Sequence, residues 1–246
     1  MSFLSIQGLH IAYKDNQVLQ NFSLEVLEGS IYAIMGPSGC GKSTLLKSIC
    51  GIIPSKGNIM LKGEPVNPVK HTLGYIPQHY GLLDWLTVSE NLSVGEKICK
   101  TSASQKDRII DQLEMTNWLH HYPQQLSGGQ QQRTALARAW ILQPDLLLMD
   151  EPFSSLDTFT AEKSRELFLQ LWKKRKTTTI FVTHNLQEAV RMGKYIILLS
   201  KQPAKVLEVI ENPLFKPGAK PDAPDFYSFE QNVKKIIQEK WEVAND

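Results

Sequence analysis

With 246 residues, 42% of them hydrophobic and 21% charged, the chain has the balance of a globular protein and not of a disordered one. A formal charge of +2 is too small for a nucleic-acid surface, the six histidines show no clustered ligand spacing, and no apolar run approaches the ~20 residues of a membrane-spanning helix. Cys40, Cys50 and Cys99 fit neither a disulfide framework nor a metal set, and Met1 to His10 lack a signal-peptide pattern, so a reducing compartment and a membrane connection only through a partner are expected.

In chain order, strand signals come first: Leu4 to Leu9, Gln17 to Leu27 and Ile31 to Met35, with Glu28-Gly29 as a turn. Gly36 to Gly41 is a glycine-rich loop, Lys42 to Cys50 reads as a helix that Gly51 to Pro54 stops, and Gly57 to Leu61 as a short strand. From about Leu82 to Gln143 the pattern is helical, punctuated by Pro123 and Gly128-Gly129. Leu146 to Met149, Thr178 to Thr183 and Tyr195 to Leu199 are strand-like runs. Between the first two, Phe159 to Lys174 reads as an amphipathic helix with Leu167 and Leu171 on one side, and the basic run Lys173 to Lys176 as its solvated end. Strands alternating with helices predict a largely parallel sheet with helices on its faces. Beyond Asn212, prolines at 213, 217, 221 and 224 predict an extended tail, and Phe229 to Trp241 a last helix.

The sharpest local signal is Gly36-Pro37-Ser38-Gly39-Cys40-Gly41-Lys42-Ser43-Thr44, a Walker A pattern between an apolar strand and a helix. Such glycines let backbone N–H groups turn inward around phosphates, and the helix that follows points its positive end at them. Lys42 is expected to reach the β- and γ-phosphates of ATP, and the Ser43 hydroxyl to hold Mg²⁺. A second element is Leu146-Leu147-Leu148-Met149-Asp150-Glu151, in which two acids emerge at the carboxyl end of a buried strand, where α/β sheets bind ligands. Read alone, the acids could equally cap a helix. Beside a phosphate loop, Asp150 suits Mg²⁺, and Glu151 suits orientation or deprotonation of an attacking water. A third is Leu126-Ser127-Gly128-Gly129-Gln130, where Ser127 as N-cap and Gln130 three residues later form a capping-box pattern. The two glycines leave bare N–H groups at a positive helix end, a second anion site, although the same residues would also serve a well-capped structural helix.

That pentapeptide, just upstream of the acidic strand, resembles the signature of ABC ATPases, and the resemblance covers nearly the whole chain. It implies an α/β fold: a P-loop NTPase core with a mainly parallel sheet, an antiparallel β subdomain and an inserted helical subdomain. In one ABC ATPase domain over 1–246, residues 1–81 and 144–212 would form the core, about 82–143 the helical subdomain, and 213–246 a tail. The resemblance also gives roles to single residues. Tyr13 falls where the family stacks an aromatic on adenine, and Gln78, in Gly74-Tyr75-Ile76-Pro77-Gln78, matches the Q-loop glutamine that meets Mg²⁺ and water. Ser154-Ser155-Leu156-Asp157 matches the D-loop, and His184 the switch histidine that contacts the γ-phosphate. Pro77, Ser155 and Asn185 replace a frequent Phe, Ala and Asp, and none of these removes a catalytic group.

The resemblance further implies a homodimer through the ATP sites, with each ATP between Lys42 of one subunit and Ser127 of the other. It implies transmembrane permease subunits, an indirect solute-binding protein and a peripheral place on the cytoplasmic face of the membrane. Leu82 to Val88 lies where importers receive the permease's coupling helix, though its apolar character would equally suit a core. With Asp150 to Phe153, Leu156 to Thr160 and Leu198 to Ser200, it resembles the nitrate, sulfonate and taurine group of bacterial importers. The competing readings are an exporter's ATPase and a soluble ABC protein of translation or DNA repair. The latter usually carries two cassettes or a long coiled coil.

Overall fold

A computed structural model describes residues 2–14, 16–99, 103–217 and 224–243, without side chains for 96–99 and 103–104. The chain divides into two compact units, residues 1–71 with 178–246, and residues 72–177.

In the first unit, β1 (Leu4–Tyr13) pairs antiparallel with β2 (Asn16–Val26) and β4 (Lys56–Leu61), and β4 with the short β5 (Glu64–Pro65), in the order β2-β1-β4-β5. Leu4, Ile6, Leu9 and Ile11 are buried. The step from Ile6 to Leu9 breaks strict alternation because the register shifts there, at Gly8, whose φ is 58°. An extra residue at such a bulge returns the apolar side chains to the core face and lets the strand run on to Tyr13.

The second sheet of this unit holds β3 (Ile31–Met35), with β8 (Thr178–Val182) and β9 (Tyr195–Leu199) parallel on either side and β10 (Val206–Glu211) antiparallel beyond β9. All five residues of β3 and of β8 are buried, as expected for strands covered on both faces. Helix α1 (Lys42–Ile49) follows β3, and α6 (Leu186–Met192) packs against both β3 and the last helix, α7 (Pro224–Val243). Val233 and Ile237 of α7 are buried, and the indole N–H of Trp241 donates to the Leu199 carbonyl at 3.0 Å, so positions spaced by four dock the helix. Pro224, expected in an extended tail, is instead the first residue of this helix, where its fixed φ and missing N–H cost nothing. Pro213 and Pro217 lie before the helix in turn structure, and Pro221 lies outside the described residues.

The second unit pairs β6 (Leu73–Ile76) parallel with β7 (Leu146–Asp150), in register from Leu73 with Leu146 to Ile76 with Met149. Its helices are α2 (Val88–Cys99), α3 (Ala103–Gln112), α4 (Gly128–Ile141) and α5 (Thr158–Arg175), with 3₁₀ turns at Thr116–Trp118 and Pro123–Gln125. The predicted helical stretch from 82 to 143 thus holds three helices, and residues 100–102 within it lie outside the description. Leu167 and Leu171 of α5 are buried, and Trp140 of α4 meets Phe168 edge-on with ring centroids 5.9 Å apart. Lys173 to Lys176 are exposed, and Lys176 adopts the left-handed conformation that ends α5, so the basic run is a solvated helix end that complements the helix dipole. Among the described residues no helix is long and apolar enough to cross a membrane.

Candidate nucleotide site

In the first unit the phosphate loop leaves the buried β3 and enters α1. Gly41 stands at the N-cap with φ 109°, and a Cβ there would lie 2.5 Å from Val18 Cγ1, so both its backbone and its surroundings require glycine. Gly36 and Cys40 are buried, Pro37, Gly41, Ser43 and Thr44 half-buried, and Ser38 and Gly39 exposed at the tip. The Cys40 N–H donates to the Pro37 carbonyl at 3.2 Å, and the Gln202 amide donates to the Gly39 carbonyl at 2.6 Å. Lys42 is 7% exposed, and its ammonium donates to the Gly36 and Pro37 carbonyls at 2.9 and 3.0 Å. The charge is therefore held inside the loop, where a phosphate oxygen would be bound by backbone N–H groups and an ammonium together. Burial pushes the Cys40 thiol above its ordinary pKa although Lys42 pulls it down, so it behaves as an apolar loop residue and not as a reactive thiolate.

Tyr13 ends β1 half-exposed, a ring available for stacking. His184 is exposed directly beyond β8 and Thr183. Asn185 caps α6, its side chain accepting from the N–H groups of Gln187 and Glu188. The Thr183 hydroxyl donates to Glu188 at 2.6 Å and accepts from the Asn185 N–H at 3.0 Å. Asn and Asp cap about equally well, so this departure from the common family residue keeps the backbone that presents His184.

In the second unit, the parallel register of β6 and β7 brings Gln78, two residues past Ile76, to the same strand end as Asp150 and Glu151. Asp150 is buried and Gln78 exposed. Glu151 has φ 48°, an uncommon conformation for a residue with a side chain, and its carbonyl accepts from the Ser154 N–H and hydroxyl at 3.3 and 3.0 Å. Asp157 caps α5, accepting from the N–H groups of Phe159 and Thr160.

The start of α4 has the geometry read from the sequence. The Ser127 hydroxyl accepts from the Gln130 N–H at 3.3 Å, and the Gln130 side chain accepts from the Ser127 N–H at 2.9 Å. Leu126 and Gly129 are buried, Ser127 and Gly128 exposed, and the first turn contains no acidic side chain. A helix end whose own first turn carries no carboxylate offers its positive end to an anion.

Sequence reasoning missed the supports of these residues. Val18 fills the space beside Gly41, and Gln202 reaches the loop from 163 residues away. Neither carries a linear signal, because each acts through a contact that only the folded chain creates.

Such a phosphate loop after a buried parallel strand, with acids at the end of another, defines a P-loop nucleotide-binding protein. Residues 19–154 match the family described as ABC transporter, and the chain belongs to that family. It is 39% identical over 228 residues to an aliphatic sulfonates import ATP-binding protein, SsuB, of Bacillus cereus, covering 91% of this chain and 88% of the relative. It is 38% identical over 210 residues to the taurine import ATP-binding protein TauB of Yersinia pestis bv. Antiqua (strain Antiqua), covering 83% and 82%. Its fold matches the dimeric post-hydrolysis state of the ATP-binding cassette MJ0796 bound to ADP and Pi with a TM-score of 0.74 and 30% identity, over 86% of this chain and 100% of that one. The chain is an ATP-binding ATPase of the ABC type.

Proposed function

We propose that the chain is the energising subunit of an importer for small sulfonate-type anions such as taurine, working at the cytoplasmic face of the membrane beneath a separate permease. The similarity to two kinds of sulfonate-importing relatives over most of the chain supports the solute class. The observation that carries the mechanism is the bare, capped first turn of α4, an anion site distinct in sequence from the phosphate loop. Two anion sites per chain and one ATP per pair of sites call for a head-to-tail homodimer, with Lys42 of one subunit and Ser127 of the other on the same nucleotide.

In that dimer Tyr13 stacks on adenine, the loop from Gly36 to Thr44 holds the phosphates, and the turn from Leu126 to Gln130 closes on the γ-phosphate from the partner. Ser43, Asp150 and Gln78 offer a hydroxyl, a carboxylate and an amide carbonyl, the hard oxygen donors that suit Mg²⁺ beside phosphates. An ion held by such donors would neutralise phosphate charge. Glu151 takes a proton from the attacking water as the water oxygen bonds to the γ-phosphorus and the bond to the ADP oxygen breaks. His184 contacts the γ-phosphate, and Asp157 carries the D-loop. Loss of the γ-phosphate removes the bridge between two positive cradles, so the dimer opens and the permease is reset.

Residues 82–143 form the helical subdomain and carry the permease surface, on which a solute-binding protein acts only indirectly. Trp85 is 73% exposed and Tyr122 46%, a cost in solvated apolar area that favours docking over core for these two rings. The reading is tested with tagged Glu151→Gln protein purified from detergent-solubilised membranes in the presence of ATP, followed by uptake of labelled taurine and alkanesulfonates into vesicles holding the wild-type complex. Co-purification of a permease and ATP-dependent uptake are expected. Recovery with ribosomes or repair proteins would overturn the transport reading, and uptake of an unrelated solute would overturn the sulfonate assignment.

A further inference from the structure

One residue outside the nucleotide motifs joins, through its side chain and its backbone, segments that they define. Tyr80 follows Gln78 by two residues, is 5% exposed, and has φ 61°, a left-handed conformation that bulky residues rarely adopt. Its N–H donates to the Pro77 carbonyl at 2.9 Å, and Gly81 continues the turn with φ 61°. A side chain held in this way is over-determined by its surroundings, and here the surroundings can be named.

The Tyr80 hydroxyl lies 2.6 Å from the Ser155 hydroxyl, 75 residues away in the segment between Glu151 and Asp157. Burial raises the Tyr80 pKa above its ordinary value, so the phenol keeps its proton and remains a donor. On the backbone side, the carbonyls of Tyr80 and Gly81 accept from one Arg138 nitrogen at 3.3 and 2.6 Å. Arg138 stands on α4, the helix that Ser127 caps, and its other terminal nitrogen donates to the Asn91 side chain at 3.4 Å. Asn91 is fully buried. Its amide donates to the carbonyls of Leu83, Leu86 and Thr87 at 3.0 to 3.1 Å, and its oxygen accepts from the Leu83 N–H at 2.9 Å. Hydrogen bonds therefore run without a break from Ser155 through Tyr80, Arg138 and Asn91 to the loop that carries Trp85, all within one compact unit.

We propose that Tyr80 is a positioning residue that ties the D-loop serine, Ser155, to the Trp85 loop, so that nucleotide-driven movement of one is passed to the other. The link depends on the hydroxyl of Ser155, at a position where the family frequently has Ala, so it is a property of this sequence and not of the motif. It rests on the reading above that ATP engages the D-loop segment.

The test is hydrogen exchange on the full chain in a Glu151→Gln background, with and without ATP and Mg²⁺, followed in peptides covering 82–91 and 154–160. Tyr80→Phe, Ser155→Ala and the double variant are compared, with Ser155→Thr as the conservative replacement that keeps a hydroxyl. ATP should slow exchange at 154–160 in every protein. At 82–91 the ATP-dependent slowing should fall about threefold to tenfold in each single variant, the scale of one partly buried hydrogen bond, fall no further in the double variant, and return with Thr. An unchanged response at 82–91, or additive losses in the double variant, would overturn the link. Should Tyr80→Phe fail to fold, Ser155→Ala removes the same bond from an exposed position. A missing response at 154–160 in the background protein itself would instead overturn the nucleotide reading on which the proposal rests.

Discussion

Gly129→Ala is the substitution whose outcome the packing of α4 on α5 specifies most closely. A Cβ at Gly129 would lie 2.3 Å from Thr160 Cγ2, whereas carbon atoms rest at about 3.5–4.0 Å. More than an ångström must be recovered. Rotation of Thr160 would sacrifice its hydroxyl's bond to Asp157, and a shift of the α5 backbone would disturb the cap that Asp157 makes. Overpacking of this kind costs about 1–3 kcal/mol. Replacing a helical glycine by alanine returns about 0.5–1 kcal/mol in a helix interior, and less in a first turn. The expected net loss is about 1–2 kcal/mol, a fall in Tm of roughly 2–8 °C for a chain of this size.

The assay is thermal and urea denaturation of the single variants and of the pair with Thr160→Ser, which deletes the clashing methyl and keeps the hydroxyl. In the Thr160→Ser background the penalty of Gly129→Ala should vanish or turn favourable. A penalty that persists there, or a single variant within about 0.5 kcal/mol of wild type, would refute the steric argument.

Ser127→Ala removes one half of the α4 capping box and should cost about 1 kcal/mol by thermal denaturation; an unchanged Tm would mean that the box is not formed in solution. The Asp157 carboxyl is held below its usual range, first by the Thr160 hydroxyl and then by the N–H groups of Thr160 and Phe159. A depressed folded value gives stability that is complete above the unfolded pKa of about 3.9 and lost as pH falls through the folded one. The Tm difference between wild type and Asp157→Ala should therefore be full at pH ~6 and shrink below pH ~4, and a difference constant over that range would refute the assignment. Burial pushes the Cys50 thiol up to about 12. At pH ~8.5 its alkylation by iodoacetamide, followed by peptide mass spectrometry, should be slower than in the urea-unfolded chain by roughly a thousandfold; a rate within tenfold of the unfolded chain would refute the burial.

The elements legible in the sequence were those whose pattern is local. β3 and β9 are unbroken apolar runs, β7 is one up to Asp150, and β8 joins β-branched threonines to Ile180, Phe181 and Val182, because these strands are buried, and the α4 cap is written in the spacing of Ser127 and Gln130. β6 escaped because it is four residues long with two half-buried, and β10 because an edge strand with mixed exposure has no clean period. The two exposed residues of β5 and the single turn or two of α6 carry too few positions for a pattern. Pro224 was misread because a proline that opens a helix looks, in isolation, like one that ends an extended segment. The nucleotide motifs were legible for the same reason as the strands, since each is a short run placed at a strand or helix end. Their supports were not, since Gln202 on Gly39 and Tyr80 on Ser155 are pairings across 163 and 75 residues.

Each of the three departures from the common family wording has a physical reading. Asn185 keeps the cap of α6, so it changes nothing that the backbone before His184 needs. Ser155 adds a hydroxyl partner for Tyr80 that alanine lacks. Pro77 accepts from the Tyr80 N–H, and its ring stands where a Cβ on Gly81 would fall, 2.9 Å from Cγ. With Gly81 also at positive φ, any larger residue there would meet both a strained backbone and the proline ring. Pro77, Tyr80, Gly81 and Ser155 are therefore one packing solution. A change at position 77 toward the commoner phenylalanine would have to be accommodated at the Tyr80 turn before it could affect Gln78, so the departures in the Q-loop and the D-loop meet physically at Tyr80.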